Sequence, residues 1–328
     1  MQLTESLLQV AEGIYQVQVP LPFALRIVNC YLLDNGDDTW TIVDTGLNIP
    51  DDRAVWQAAF EALGITPEQI SQIVLTHVHP DHYGLAGWLQ GLSGAPVKLS
   101  PREEQAAQEF WVGVEARDQA TSTQMAQMGV PSEVTTMIIG GIAMIRAVIQ
   151  PRPEHLEPII PGESVSMGGR QFRAIHAPGH SDGQLLFYDE ADRLLISGDH
   201  VLMKITPNIA QWPETDPDPL GRFLDSLTEL SALDVRLALP GHRQLITDWS
   251  GRIAEMIAHH IERLGRVREI LDGGEQTAYQ VATRLFDFER LRVREEGFAV
   301  VETMAHLDYL VRRDAITQID GDVWRFRN

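Results

Sequence analysis

From residue 14 the chain alternates short runs of β-branched and aromatic residues with turn residues: Ile14 to Val19, Arg26 to Leu33, Asn35-Gly36, then Thr39 to Val43. Asn-Gly between two such runs predicts a hairpin. Val55, Ala58, Phe60 and Leu63 fall on roughly one face of a helix over Asp51 to Leu63. Ile73-Val74-Leu75 is uniformly apolar, as a short strand covered on both faces would be. Strand, helix, strand and then a polar loop is the grammar of a layered α/β domain.

Residues 103–150 break that rhythm. Glu103 to Met128 reads as a polar helix with interspersed Ala and Met, and Pro131 to Ile149 as a second, apolar one. Strand patterning returns at Val165-Ser-Met, Arg170 to Ile175, Gln184 to Tyr188 and Arg193 to Ile196. A helix over Phe223 to Leu233 and a strand at Arg236 to Leu239 follow. After Gly251 the pattern turns helical, with Ile253, Met256, Ile257, Ile261, Leu264, Val267 and Leu271 at helical spacing before Gly273-Gly274. Two more helices, Thr277 to Phe286 and Phe298 to Arg313, precede a hairpin built from Ile316 to Ile319 and Val323 to Phe326. Helices closed by a two-stranded hairpin resemble a winged helix. The expected division is thus a first segment, 1–250, with a helical insert at 103–150, and a helical, winged-helix-like segment, 251–328.

Charge narrows the partners. The 328 residues hold 26 Lys+Arg against 46 Asp+Glu, a formal net charge of −20. Nucleic acid and anionic membrane surfaces bind through clustered cations, so neither is expected as a partner. The segment from Arg252 onward is no exception, with 12 Arg against 14 acidic residues. Cys30 is the single cysteine, which excludes a disulfide framework and a thiolate metal cluster. Lys98 and Lys204 are the only lysines, leaving few candidates for a Schiff-base or phosphate-binding lysine. The first residues show neither a basic n-region nor a following apolar run, and no apolar stretch reaches the roughly 18–20 residues of a membrane span. A cytoplasmic protein is the expectation.

The chemistry concentrates directly after the apolar strand, in Thr76-His77-Val78-His79-Pro80-Asp81-His82-Tyr83-Gly84. Three imidazoles and a carboxylate within six residues suit metal ligation, with His as nitrogen ligand and Asp as hard oxygen. Extended backbone points His77 and His79 the same way, so they can grip one ion; Asp81 and His82 lie beyond Pro80, where the chain turns. Three later segments, Pro178-Gly179-His180, Gly198-Asp199-His200 and Pro240-Gly241-His242, each follow a strand-like run and set a ligand beside a glycine. Cys30 has no partner signature for nucleophilic catalysis.

Together these segments resemble the metallo-β-lactamase superfamily, whose ligands run HxHxDH, then H, D and H; the likeness covers residues 14–245, and the core is of the glyoxalase II type. The resemblance implies a four-layer αββα sandwich with the metals at one rim. It assigns His77, His79 and His180 to a first metal, Asp81, His82 and His242 to a second, and Asp199 to a bridge between them. It places Asp44 behind the ligands as a support. Two Zn²⁺ are the implied cofactors, with Mn²⁺ or Fe²⁺ as alternatives. The implied activity is hydrolysis of an ester, lactone or thioester (an acyl-CoA-like substrate among them) by metal-bound hydroxide, with Asp81 orienting it and passing on a proton.

His200, beside the bridging Asp199, is a second catalytic candidate, as substrate contact or supporting donor, set against a structural reading. His176 is expected as a packed core residue, and His155, His259, His260 and His306 as structural or surface residues. The runner-up activities are a mononuclear iron sulfur dioxygenase, which shares some of these ligands, and a phosphodiesterase or ribonuclease, which the acidic charge disfavours. The basic glutathione-binding tail of glyoxalase II is not recognisable. Residues 103–150 gather Phe110, Trp111, Met125, Met128, Met137, Ile138, Ile139, Met144 and Ile145. Such a surface suits either a lid over a small-molecule substrate with an apolar part or a homodimer interface.

Overall fold

The computed structural model describes residues 4–22 and 24–328, with Arg294 described by its backbone alone. The reading of the amino terminus falls partly on residues 1–3, outside the described residues. Seven strands lie side by side in chain order: β1 (Leu7–Ala11), β2 (Ile14–Pro20), β3 (Ile27–Asp34), β4 (Trp40–Val43), β5 (Ile70–Val74), β6 (Val97–Leu99) and β7 (Leu156–Pro158). Pairing is antiparallel from β1 to β4 and parallel from β4 to β7. Parallel neighbours need crossovers. Helix α1 (Pro50–Leu63) supplies the first, and α2 (Pro80–Tyr83) with α3 (Ala86–Ser93) the second. The third holds α4 (Pro101–Trp111), α5 (Val114–Gln127) and α6 (Ser132–Ala147).

A second sheet runs β12-β11-β10-β9-β8, from β8 (Ser164–Met167), β9 (Arg170–His176), β10 (Leu185–Asp189), β11 (Leu194–Gly198) and β12 (Leu237–Pro240). Helix α7 (Pro219–Leu230) links β11 to its parallel partner β12. The chain ends with α8 (Trp249–Leu271), α9 (Ala278–Leu285), α10 (Val293–Val311) and the antiparallel hairpin of β13 (Thr317–Ile319) and β14 (Arg325–Arg327).

Three apolar layers hold these elements. Tyr31, Val43 and Val74 meet Phe172, Phe187 and Leu239 between the sheets. On the outer face of the first sheet, Trp56 and Phe60 of α1, Leu89 of α3 and Trp111 of α4 join the cluster of Val17, Ile42 and Ile73. On the outer face of the second, Leu186, Tyr188 and Leu195 join Phe223 of α7, Met256 of α8 and Val300 of α10. Helix, sheet, sheet, helix is the expected four-layer α/β sandwich.

Two local readings are corrected. The stretch Glu103 to Met128 is two helices, broken at Val112-Gly113, so residues 103–150 hold three helices rather than two. A β-branched residue followed by glycine is a weak spot in a helix, and Gly113 becomes the N-cap of α5. His176 is exposed rather than packed in the core: it ends β9, and its Nε2 lies 2.8 Å from the Asp182 carbonyl. Among the described residues, no helix is long and apolar enough to cross a membrane.

Candidate metal centre

Just past the end of β5 the chain bends at Thr76 and leaves regular structure as far as His79, whose backbone is extended, and Pro80 then starts the one-turn helix α2 that carries Asp81 and His82. Proline at the first helical position has no N–H to satisfy and a φ already suited to the helix. The amides of His82 and Tyr83 both donate to the His79 carbonyl, folding the motif back on itself. His180 lies between β9 and β10, Asp199 directly after β11, and His242 two residues past β12. The fold brings all seven predicted ligands together. In each of the groups His77/His79/His180, His77/His82/Asp199 and Asp81/His82/His242, the ligand atoms lie within 4.8 Å of one another. Asp199 has one carboxylate oxygen 3.4 Å from His82 Nε2 and the other 3.2 Å from His242 Nε2.

Hydrogen bonds behind the rings set which nitrogen faces inward. Asp44 accepts from the Thr76 amide at 2.9 Å and from the Thr76 hydroxyl at 2.8 Å. Having given its only proton to that carboxylate, Thr76 Oγ1 can only accept from His77 Nδ1, 2.9 Å away. Asp44 also accepts from His82 Nδ1 at 2.8 Å. His180 Nδ1 donates to the Asn208 carbonyl at 2.9 Å and His242 Nδ1 to the Ile27 carbonyl at 2.7 Å. Each of these four rings is therefore left with Nε2 directed at the cluster. The buried Nε2 atoms of His77, His82 and His242, and Oδ1 of Asp199, have no hydrogen-bond partner. Buried polar atoms are seldom left so, and a divalent cation is what this donor set fits.

The electrostatics agree. Burial drives His77 well below the ordinary imidazole range, His79 down to about 3 and His180 down as well, which favours the neutral form that metal ligation requires. Burial also opposes charge on His82 and His242, but the Asp199 carboxylate, with Asp44 beside His82 and Asp81 beside His242, outweighs it and raises both. Burial works against the anion of Asp199 too, and His242 and His82 override it, so its carboxyl is held well below the usual range. A cation held by this second group would take the place of those protons.

Glu103, read from sequence only as the start of the insert, ties the site together. Its buried carboxylate accepts from the Val78 amide at 2.8 Å, within the HxHxDH loop, and from the Gly183 amide at 2.9 Å and the Ser181 hydroxyl, beside His180. Burial raises its pKa against those three donors. Ser100-Pro101-Arg102-Glu103 has the spacing of a helix cap, and Ser100 does accept from the Glu103 amide. That spacing was the available signal, but it does not disclose where the carboxylate points. At Gly241 the backbone passes so close that a Cβ would collide with the Asp199 carboxylate and the His82 ring.

The cluster opens into a cavity of about 420 Å³. His79, Asp81, His180 and Asp199 lie on its wall, together with Phe110, Trp111, Ile142 and Ile145 of the insert and Phe298 of α10. His200 is the exception among the predicted site residues. It is fully buried behind Asp199 and off the cavity wall, its Nε2 is 3.0 Å from the Ser226 hydroxyl, and its ring stands edge-on to Phe223.

Comparison with known proteins agrees with this geometry. Residues 24–242 match the metallo-beta-lactamase superfamily, and residues 264–328 match the metallo-beta-lactamase-like C-terminal domain. A probable metallo-hydrolase of Bacillus subtilis is 26% identical over 311 residues, covering 93% of this chain and 94% of its own. An atrochrysone carboxyl ACP thioesterase of Cryptosporiopsis is 24% identical over 267 residues, 80% of this chain and 62% of that protein. Among solved structures, a metallo-beta-lactamase family protein of Thermus thermophilus superposes with a TM-score of 0.88 at 34% identity, covering 98% of this chain and 100% of that one. A beta-lactamase domain protein of Burkholderia ambifaria gives 0.82 at 28% identity, covering 98% and 94%.

Proposed function

Since the chain belongs to the metallo-beta-lactamase superfamily and is a metal-dependent hydrolase, we propose that its centre is dinuclear and cleaves an ester, lactone or thioester of a small molecule with an apolar part. The observation that carries this reading is the pair of three-ligand groups, His77/His79/His180 and Asp81/His82/His242, with Asp199 reaching into the second and towards the first. His and Asp without thiolate suit two zinc ions. When bound, such ions lower the pKa of water and polarise a carbonyl oxygen.

The chain's own residues supply the rest. Asp44 and the Asn208 and Ile27 carbonyls fix the imidazole tautomers. Asp81, on the cavity wall with Oδ2 3.3 Å from His242 Nε2, is placed to orient an attacking water and to pass its proton to the leaving group. His200 packs behind the cluster against Ser226 and Phe223 and touches no substrate. The apolar cavity wall accommodates an acyl or aromatic group. That the Cryptosporiopsis relative is named a thioesterase favours the thioester within this class.

Metal analysis of the purified protein together with turnover of ester and thioester substrates tests the reading. Two zinc ions per chain and thioester cleavage are expected. One iron per chain, with persulfide oxidation and no ester cleavage, would overturn it.

A further inference from the structure

Arg117 stands on the wall of the same cavity and is only 7% exposed. Among the described residues it is the one arginine or lysine lining that wall. Its guanidinium lies over the Phe110 ring at 4.5 Å and the Trp212 ring at 5.7 Å. Its nearest carboxylate is Glu214, 3.5 Å from Nε, which pairs charge without making a hydrogen bond. Nε and Nη1 are buried with no partner, and so is Oε2 of Glu214. A guanidinium kept purely for packing would have its fork satisfied, because each buried orphan donor carries a desolvation penalty of its own.

We propose that Arg117 is the specificity determinant of the cavity, binding a carboxylate on the substrate remote from the bond that is cleaved. The proposal rests on the hydrolase reading above and adds the substrate class: an acyl compound with an apolar body and an anionic end. Arginine presents a planar array of donors matched to carboxylate oxygens, and the flanking rings hold that plane in place. A single guanidinium with Glu214 beside it and Glu295 also on the cavity wall suits one negative charge better than the two of a phosphate. Burial presses on the Arg117 charge, which a bound anion would relieve.

The test compares the metal-loaded protein with its Arg117→Gln and Glu214→Gln variants. Each is assayed on the S-phenyl monothioester of adipic acid and on the same compound with its free carboxylate methylated. Each is also titrated calorimetrically with phenylbutyrate and phenylbutyramide. The unaltered protein should favour the free acid in kcat/KM by about ten- to hundredfold, the range of a charge-assisted contact. Arg117→Gln should bring that ratio to within about threefold of unity, and Glu214→Gln, which frees the guanidinium, should raise it. Phenylbutyrate affinity should follow the same order, because any direct contact with the metals is common to all three proteins. An unchanged ratio in Arg117→Gln, or no preference for the acid in the unaltered protein, would overturn the proposal. Should Arg117→Gln not fold, Glu214→Gln decides: a rise supports the proposal, and a fall or no change sinks it. If neither thioester is cleaved, the thioester reading fails, while the difference between phenylbutyrate and phenylbutyramide still settles the role of Arg117.

Discussion

Asp44 holds its backbone in the left-handed region at φ 58°, a conformation that costs a non-glycine residue about 1–3 kcal/mol. The strain is retained because the position delivers one carboxylate to both Thr76 and His82, and through Thr76 to His77. Asp44→Asn keeps the shape but puts an NH₂ where an oxygen accepted, so one of these bonds is lost. Metal affinity or turnover should fall about 10- to 100-fold, read by metal titration and steady-state assay, with circular dichroism unchanged. A variant with full affinity and turnover would show that Asp44 only shapes the turn. Asp199 differs in kind, since its two oxygens face rings of both groups. Asp199→Ala should cost both ions together, whereas His242→Ala should weaken mainly the second; full occupancy in Asp199→Ala would contradict the bridge. At this scale the sequence discloses the residues that the fold gathers into the cluster, because each sits in a short contiguous signature after a strand. It discloses less of what orients them. Asp44 lies in a strand-end motif and is legible, whereas Asn208 supplies a backbone carbonyl, which leaves no trace in residue type.

The insert shows why element-level reading stops where it does. Its apolar residues are evident in the sequence, but apportioning them needs the register of α6 against its neighbours. Ile138 is buried in the core beside Gly297 of α10, Ile142 and Ile145 line the cavity, and Met137 and Met144 are 50% and 76% exposed. One helix thus presents three apolar surfaces, and a sequence-level choice between lid and interface treats them as one. The expectations separate accordingly. Ile142→Ala with Ile145→Ala should reduce the preference for long over short acyl thioesters by a few-fold to tenfold, the scale of lost methylene contacts, with solution mass unaltered. Met137 and Met144, seven residues apart on one helical face, belong to the other test. Met137→Glu with Met144→Glu should convert a homodimer to monomer in light scattering and leave chain-length preference alone. A mass indifferent to both charges removes the interface idea. Glu103 makes the complementary point, because a helix cap in the sequence turns out to join two ligand loops that are 101 residues apart at His79 and His180.

For the molecule as a whole, the segment after residue 250 is bound into the rest of the fold on two sides. Met125, Met128 and Ile138 of the insert share one apolar cluster with Phe223 of α7, Met256 of α8 and Ala305 of α10. The Tyr279 amide donates to the Met128 carbonyl and the Trp324 amide to the Gln127 carbonyl, tying α9 and the terminal hairpin to the end of α5. The segment also reaches the candidate metal centre. Asn208, whose carbonyl orients His180, donates its side-chain amide to Glu302 of α10 at 2.7 Å, and Glu302 is itself paired with Arg263 of α8. Glu302 is 7% exposed, so this chain of contacts is screened little by solvent. Glu302→Ala leaves both Arg263 and the Asn208 amide without their buried acceptor, and the loop holding the His180 acceptor loosens. Affinity at the first site should fall about tenfold or more, with the second site less affected, as a two-step metal titration would resolve. Residues 1–250 produced alone should fail to give a folded protein, since the outer face of the second sheet and one side of the insert would lose their cover. A truncated chain that melts cooperatively and binds both metals would show instead that the terminal helices are an independent addition to a self-sufficient catalytic sandwich.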